Sequence, residues 1–215
     1  MSDSRLQQTF WIGLGLLLCS LVFIYLISVA GIEKQQTLPV LGNIADFSLT
    51  NQDNKVTTLV DLTNHVWVAD IIFTRCAGPC PRMTAQMKSM QDKLRQNKNA
   101  KLITLTTDPD YDSPEIMKRY GERFGADFNR WTFLTGTKNQ IAGLAANSLK
   151  LSAQPIPLKD QTTPVDLFIH TTIFVVVDKH AQLRGIFHTG GEDVDWTNAV
   201  QPKLLATIRR LEREK

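Results

Sequence analysis

The sequence predicts an α/β domain with a mixed central β-sheet flanked by helices, preceded by one transmembrane helix. Three observations carry this. Residues 10–32 run without a charge. From about residue 46 to 148, short β-branched and aromatic runs alternate with stretches of helical period. Two apolar runs at 171–177 and 183–187 then precede a last amphipathic stretch. Strands alternating with helices argue for parallel βαβ units, and hairpins before and after them make the sheet mixed.

Composition narrows the class. The 215 residues are enough for one domain plus an appendage. A hydrophobic fraction of 43% with 21% charged residues excludes a wholly disordered chain and a polytopic membrane protein. A net charge of +3 without a Lys/Arg block excludes a nucleic-acid footprint. Three cysteines exclude a disulfide-dense scaffold.

The chain divides into a tail (1–9), an anchor (10–32), a polar linker (33–42) and one domain (43–215). The anchor is long enough to cross a hydrocarbon core of about 30 Å, which takes about 20 apolar residues. Trp11 and Tyr25 stand towards its ends, as interfacial anchors do. A cleaved signal peptide would have an apolar core of only about 7–15 residues. Cys19 follows Leu18, where a lipoprotein site needs a small residue, and is read as inert. Arg5 and the amino terminus give a slight positive excess before the anchor. That puts the N-terminus inside and the domain outside. The short tail leaves no room for a mitochondrial presequence, so the expected place is a bacterial inner membrane with the domain in the periplasm. A cysteine pair in that oxidising compartment is bridged, metal-bound or kept reduced by a partner.

Within the domain, strands are expected at 46–50 and 55–59, joined by the turn-prone Asn51, Gln52, Asp53 and Asn54. The β-branched, aromatic run 65–73 reads as a buried central strand. A helix follows over 79–96 with Pro79 in its first turn. A strand is expected at 101–106, then a helix opened by Ser113 with Pro114 at its first position. A short strand at 131–134, a helix at 137–148, a proline-rich loop at 155–164, the hairpin 171–177/183–187 and a closing helix at 194–213 complete the order.

The chemistry lies between strand 65–73 and the helix that follows. Cys76 and Cys80 stand one helical turn apart, so their sulfurs can converge on one ion or form a disulfide. A helix N-terminus there stabilises a thiolate, and Arg75 and Arg82 add to that. Two soft thiolates suit Cu(I), and an added imidazole makes a site that also holds Cu(II). Of the four histidines, His65 is read as structural or exposed, His180 as solvated and His188 as structural; His170 starts a strand that can lie beside the cysteine turn. Met83, Met87 and Met90 follow at helical spacing and read as a core-facing stripe.

These residues resemble a known family. The run from Phe73 to Arg82 looks like the FTxCxxxCP signature of the Sco/SenC family of membrane-anchored copper chaperones. Residues 107–115 are similar to its DPxxDTPE segment, 131–136 to its WxFLTG segment, and His170-Thr171 to its DHT/DHS segment. The resemblance implies a thioredoxin-like fold. It also implies copper delivery to the binuclear copper site of cytochrome c oxidase, or reduction of that site's thiols, with subunit II or another copper or thiol protein as the partner. It assigns Cys76 and Cys80 as the metal-binding and redox pair and His170 as third ligand, with Asp108 as a neighbouring acidic group. The chain departs from the pattern at Ala77, Gly78 and Pro79, where a Pro and an acidic residue are usual, and at Ile169, where an Asp is usual.

Two functions use the same sulfurs. In one, the protein is a copper-binding assembly factor without turnover. In the other, it is a thiol–disulfide oxidoreductase in which Cys76, the more exposed cysteine, attacks and Cys80 resolves. A peroxidase is disfavoured because Thr74 stands two residues before Cys76 rather than three. A chemically silent interaction module would leave the two cysteines replaceable.

Overall fold

The computed structural model describes residues 3–31, 37–97, 99–151, 172–191 and 193–214. The chain separates into two units, Met1–Thr37 and Leu38–Lys215. The first contains α1 (Asp3–Gly31), whose stretch Gln7–Tyr25 is long and apolar enough to cross a membrane. Its described side chains lie outside any protein core, which suits lipid rather than water.

The second unit is built on one eight-stranded mixed sheet. Its strands are β1 (Gly42–Asn43), β2 (Ser48–Asn51), β3 (Val56–Thr58), β4 (Val66–Ile72), β5 (Ala100–Thr106), β6 (Trp131–Thr135), β7 (Ile173–Val177) and β8 (Gln182–His188). Their spatial order is β1-β8-β7-β4-β5-β6-β2-β3. β4, β5 and β6 run parallel, and the remaining pairings are antiparallel. The parallel strands are joined by crossover helices α2 (Pro79–Lys93) and α3 (Pro114–Arg123). α4 (Lys138–Ala142) follows β6, and α5 (Gln201–Arg213) closes the chain.

Alternate residues of β4 face opposite sides, as the period of a strand requires. Val66, Val68 and Ile72 pack with α2, α3 and α5; Trp67, Ala69 and Ile71 pack in a second core with Leu59, Leu62, Ile141 and Leu144. β4 is buried along its whole length, which is why its sequence reads as a continuous apolar run. Met83, Met87 and Met90 are 0–1% exposed and fill the first core, as expected of the stripe.

The elements differ from expectation in three places. The helix expected over 137–148 is α-helical only to Ala142 and then widens into a π-helical stretch, Gly143–Ser148. The closing helix likewise begins as a π-helical turn, Trp196–Val200, capped by Asp195, and becomes α-helical at Gln201. Pro202 has no N–H to extend the preceding turn. Residues 38–43, read mostly as linker, are hydrogen-bonded into the domain. Leu41 N–H donates to Leu183 C=O at 2.8 Å, and Gly42–Asn43 pair with β8. The proline-rich loop 155–164 lies outside the described residues.

Candidate functional site

The site grows from the carboxyl ends of β4 and β5. Past Ile72, the chain turns through Thr74 and Arg75, and Cys76 N–H bonds back to Phe73 C=O at 3.2 Å. This turn is held from below by Asp112, which is fully buried. Its carboxylate accepts the Thr74 N–H at 3.1 Å, the Thr74 hydroxyl, and the Thr106 hydroxyl at 2.5 Å. Burial pushes the Asp112 carboxyl above its ordinary range, while the Thr106 and Thr74 donors pull the other way. One side chain thus ties the loops after two parallel strands together. Asp112→Ala leaves these donors without their acceptor. It should cost about 2–3 kcal/mol in denaturant unfolding and speed hydrogen exchange at Thr74.

Cys80 occupies the second position of α2, and Cys76 lies just before the helix. Both are buried, at 6% exposure for Cys76 and 2% for Cys80, and no disulfide joins them. The two thiols are neighbours, close enough for one to influence the ionisation of the other. The Cys76 thiol and burial push the Cys80 thiol strongly up, and only the Phe73 backbone opposes this. The thiolate expected at this turn is assigned to neither cysteine, and Cys80 is the one pushed towards the protonated form. The two arginines point to other partners. Arg75 pairs with Asp108 at 2.5 Å and lies 4.1 Å from the Tyr111 ring centroid. Arg82 reaches instead towards Gly190, where an added Cβ would lie 2.8 Å from its Nη2 and 2.7 Å from Thr172. Gly190 is therefore the residue that lets α2, the loop after β8 and the start of β7 converge. Two hydrogen bonds fix the same corner: Gln86 Nε2 to Thr189 C=O at 2.9 Å, and Thr189 N–H to Thr172 C=O at 2.7 Å.

The histidines sort as follows. His65 is half-buried with Nδ1 3.2 Å from Asn99 C=O, while His180 and His188 are exposed. His170 lies outside the described residues. Among the described residues no three His, Cys, Asp or Glu side chains cluster to hold a metal; the cysteines supply two donors.

A family model, SCO1/SenC, matches residues 36–204. The chain belongs to the SCO1/SenC family. It is 31% identical over 184 residues to the SCO1 protein homolog of Bacillus subtilis, covering 83% of this chain and 91% of that one. Among solved structures, it resembles BsSco with a TM-score of 0.68 and 27% identity, over 84% of this chain and all of that one. That protein is described as a Sco cytochrome c oxidase assembly protein with a disulfide switch. A SCO1/SenC family lipoprotein of Bacillus anthracis str. Ames matches with a TM-score of 0.64 and 28% identity, over 79% and 95% of the two chains. Copper-bound yeast Sco1, at 21% identity and TM-score 0.60 over 80% and 90%, shows the shared fold. The thioredoxin-like fold implied by the resemblance is thus the fold of this SCO1/SenC domain.

Behind the cysteines, the SCO1/SenC domain carries a buried polar network that sequence reasoning missed. Trp131 Nε1 donates to Thr104 Oγ1 at 2.9 Å, and that hydroxyl donates to Asp70 Oδ1 at 2.6 Å. Asp70 is fully buried and its Oδ2 has no hydrogen-bond partner among the described residues. Burial pushes its carboxyl up to about 7, against the Thr104 hydroxyl and its own backbone. Nearby, the Tyr120 hydroxyl lies 2.8 Å from Thr84 Oγ1, which donates to Cys80 C=O at 2.9 Å. The available signal was a lone carboxylate inside the apolar run Val66–Ile72.

Proposed function

We propose that this protein is a membrane-anchored copper-binding assembly factor that delivers copper to the binuclear copper site of cytochrome c oxidase, on subunit II. The observation that carries the reading is a pair of buried, neighbouring free thiols at a strand–helix turn in a SCO1/SenC chain. Cys76 and Cys80 bind Cu(I) as thiolates, and His170 completes the site and extends it to Cu(II). Copper is the cargo here. Two buried sulfurs at one strand–helix turn suit a soft ion, and binding displaces the proton held by Cys80. The likeness of His170-Thr171 to the family's DHT/DHS segment supports His170 as third ligand. The ion leaves by exchange onto a partner's cysteines. The apolar helix α1 anchors the chain in a bacterial inner membrane, with the domain in the periplasm.

Thiol–disulfide exchange, in which Cys76 attacks and Cys80 resolves, is the second reading; it uses the same two sulfurs, and the disulfide switch described for BsSco favours it. The test is anaerobic Cu(I) competition titration of the full chain in detergent. One tight site per chain is expected. Cys76→Ser or Cys80→Ser should weaken it by more than about a hundredfold, beyond what loss of an outer hydrogen-bond partner costs. Unchanged affinity in either variant contradicts the proposal.

A further inference from the structure

A second feature adjoins the cysteine turn. An open pocket of about 220 Å³ begins at Thr74 and Arg75, immediately before Cys76, and runs along α3 past Ile116, Arg119 and Arg123. Tyr111, 42% exposed, forms part of its wall. Arg119 and Arg123 are one helical turn apart and share a face of α3 with Ile116.

The charges on this wall are unequal. Arg75 is matched by Asp108. Arg119 has Glu115 at 3.5 Å, both highly exposed, so that pair is weak. Arg123 lies over the rings of Tyr120 and Phe124, at 5.1 and 5.6 Å from their centroids, and forms no ion pair among the described residues. The pocket therefore offers guanidinium groups with spare donors beside an aromatic ring and an isoleucine. Guanidinium forks suit carboxylates, and the apolar wall suits the side chain next to one.

We propose that this pocket docks an acidic segment of the protein that exchanges copper or thiols with Cys76 and Cys80. The inference rests on the proposed function in one respect: it takes the cysteine turn as the point of hand-over. Charge complementarity chooses the occupant, and contiguity with Arg75 gives it a purpose. A partner held by a carboxylate on Arg119 and Arg123 presents its neighbouring residues to Cys76.

The experiment uses the full chain in nanodiscs of zwitterionic lipid. The probe is a fluorescein-labelled ten-residue peptide with four glutamates around one phenylalanine, read by anisotropy. Its control carries glutamine in place of glutamate. Wild type should bind the acidic peptide roughly tenfold tighter than the control at low salt, from a few exposed charge pairs. The preference should shrink at about 0.5 M salt. Arg119→Gln/Arg123→Gln should abolish the preference and leave Cu(I) affinity unchanged. Equal binding of the two peptides, or an undiminished preference in the variant, overturns the proposal. Binding to phosphatidylglycerol vesicles without binding to the acidic peptide also overturns it, because the surface then faces lipid. The Cu(I) titration reads the parent proposal separately. Lost copper binding with retained peptide preference sinks copper delivery and leaves the groove standing.

Discussion

Replacing Asp70 with asparagine changes how stability depends on pH, and by a large amount. The Asp70 carboxyl is pushed up to about 7 in the folded chain from an ordinary 3.8. The folded state therefore holds this proton more tightly than the unfolded state. The stability due to that proton is fully present below about pH 3.8 and is lost as pH rises through about 7. Between pH 4.5 and pH 8, wild type should lose about 3 kcal/mol that Asp70→Asn does not lose. Cys80 and Tyr120, the neighbours in its field, are both pushed up and stay neutral through that window. Other titrating groups, Asp112 among them, are present in both proteins and cancel. Asparagine still accepts from Thr104 but places an amide where Oδ2 has no partner, which offsets part of the gain at any single pH. The pH-dependent difference is free of that offset. Urea unfolding of both proteins at the two pH values measures it, and parallel stability curves would contradict the account.

The second large effect lies near one edge of the sheet, on β8. Arg184 on β8 has a side chain only 6% exposed, paired with Asp178 and, at 2.6 Å, with Glu214. It also donates to Leu38 C=O at 2.6 Å, while Leu38 N–H donates to Glu214 at 3.1 Å. Asp178 in turn accepts the His180 and Gln182 N–H groups at 2.9 Å and so shapes the turn between β7 and β8. One guanidinium thus joins the first residues of the domain, its last residues and a hairpin. Removing one member of a buried ion pair leaves an uncompensated charge and costs about 3–5 kcal/mol. Arg184→Met should lose that much in urea unfolding and expose the Leu41 amide to exchange. Adding Asp178→Asn should recover part of the loss, since the more deeply buried of the two orphaned carboxylates is then neutral. Equal losses in the single and double variants would contradict the argument.

Much of this architecture is legible in the chain. The strand Val66–Ile72 announces itself because burial on both faces demands a continuous apolar run. Ser113 and Pro114 mark the start of α3, and the Ser113 hydroxyl accepts the Ile116 N–H as a cap should. Asn51 shapes its turn as its residue type suggests, its side chain accepting the Asp53 and Lys55 N–H groups. The cysteine pair was visible because its position after a strand and before a helix is local information. What escaped notice is non-local. Asp112 meets Thr74 from a distant part of the chain, and only the β4–β5 register brings them together. Asp70 finds Thr104 by the same pairing. Arg184 reads as an ordinary hairpin residue until Leu38 and Glu214 close over it. The protonated form of Cys80 is not legible locally, because it depends on the Cys76 thiol beside it and on the packed core around it.

The central claim is that Cys76, Cys80 and His170 act together on one copper ion. X-ray absorption at the copper edge of the Cu(I)-loaded full chain tests it most directly, compared with His170→Ala. The account predicts two sulfur neighbours and one nitrogen in wild type, and the same two sulfurs without the nitrogen in the variant. An unchanged nitrogen in His170→Ala, or fewer than two sulfurs in wild type, would contradict it.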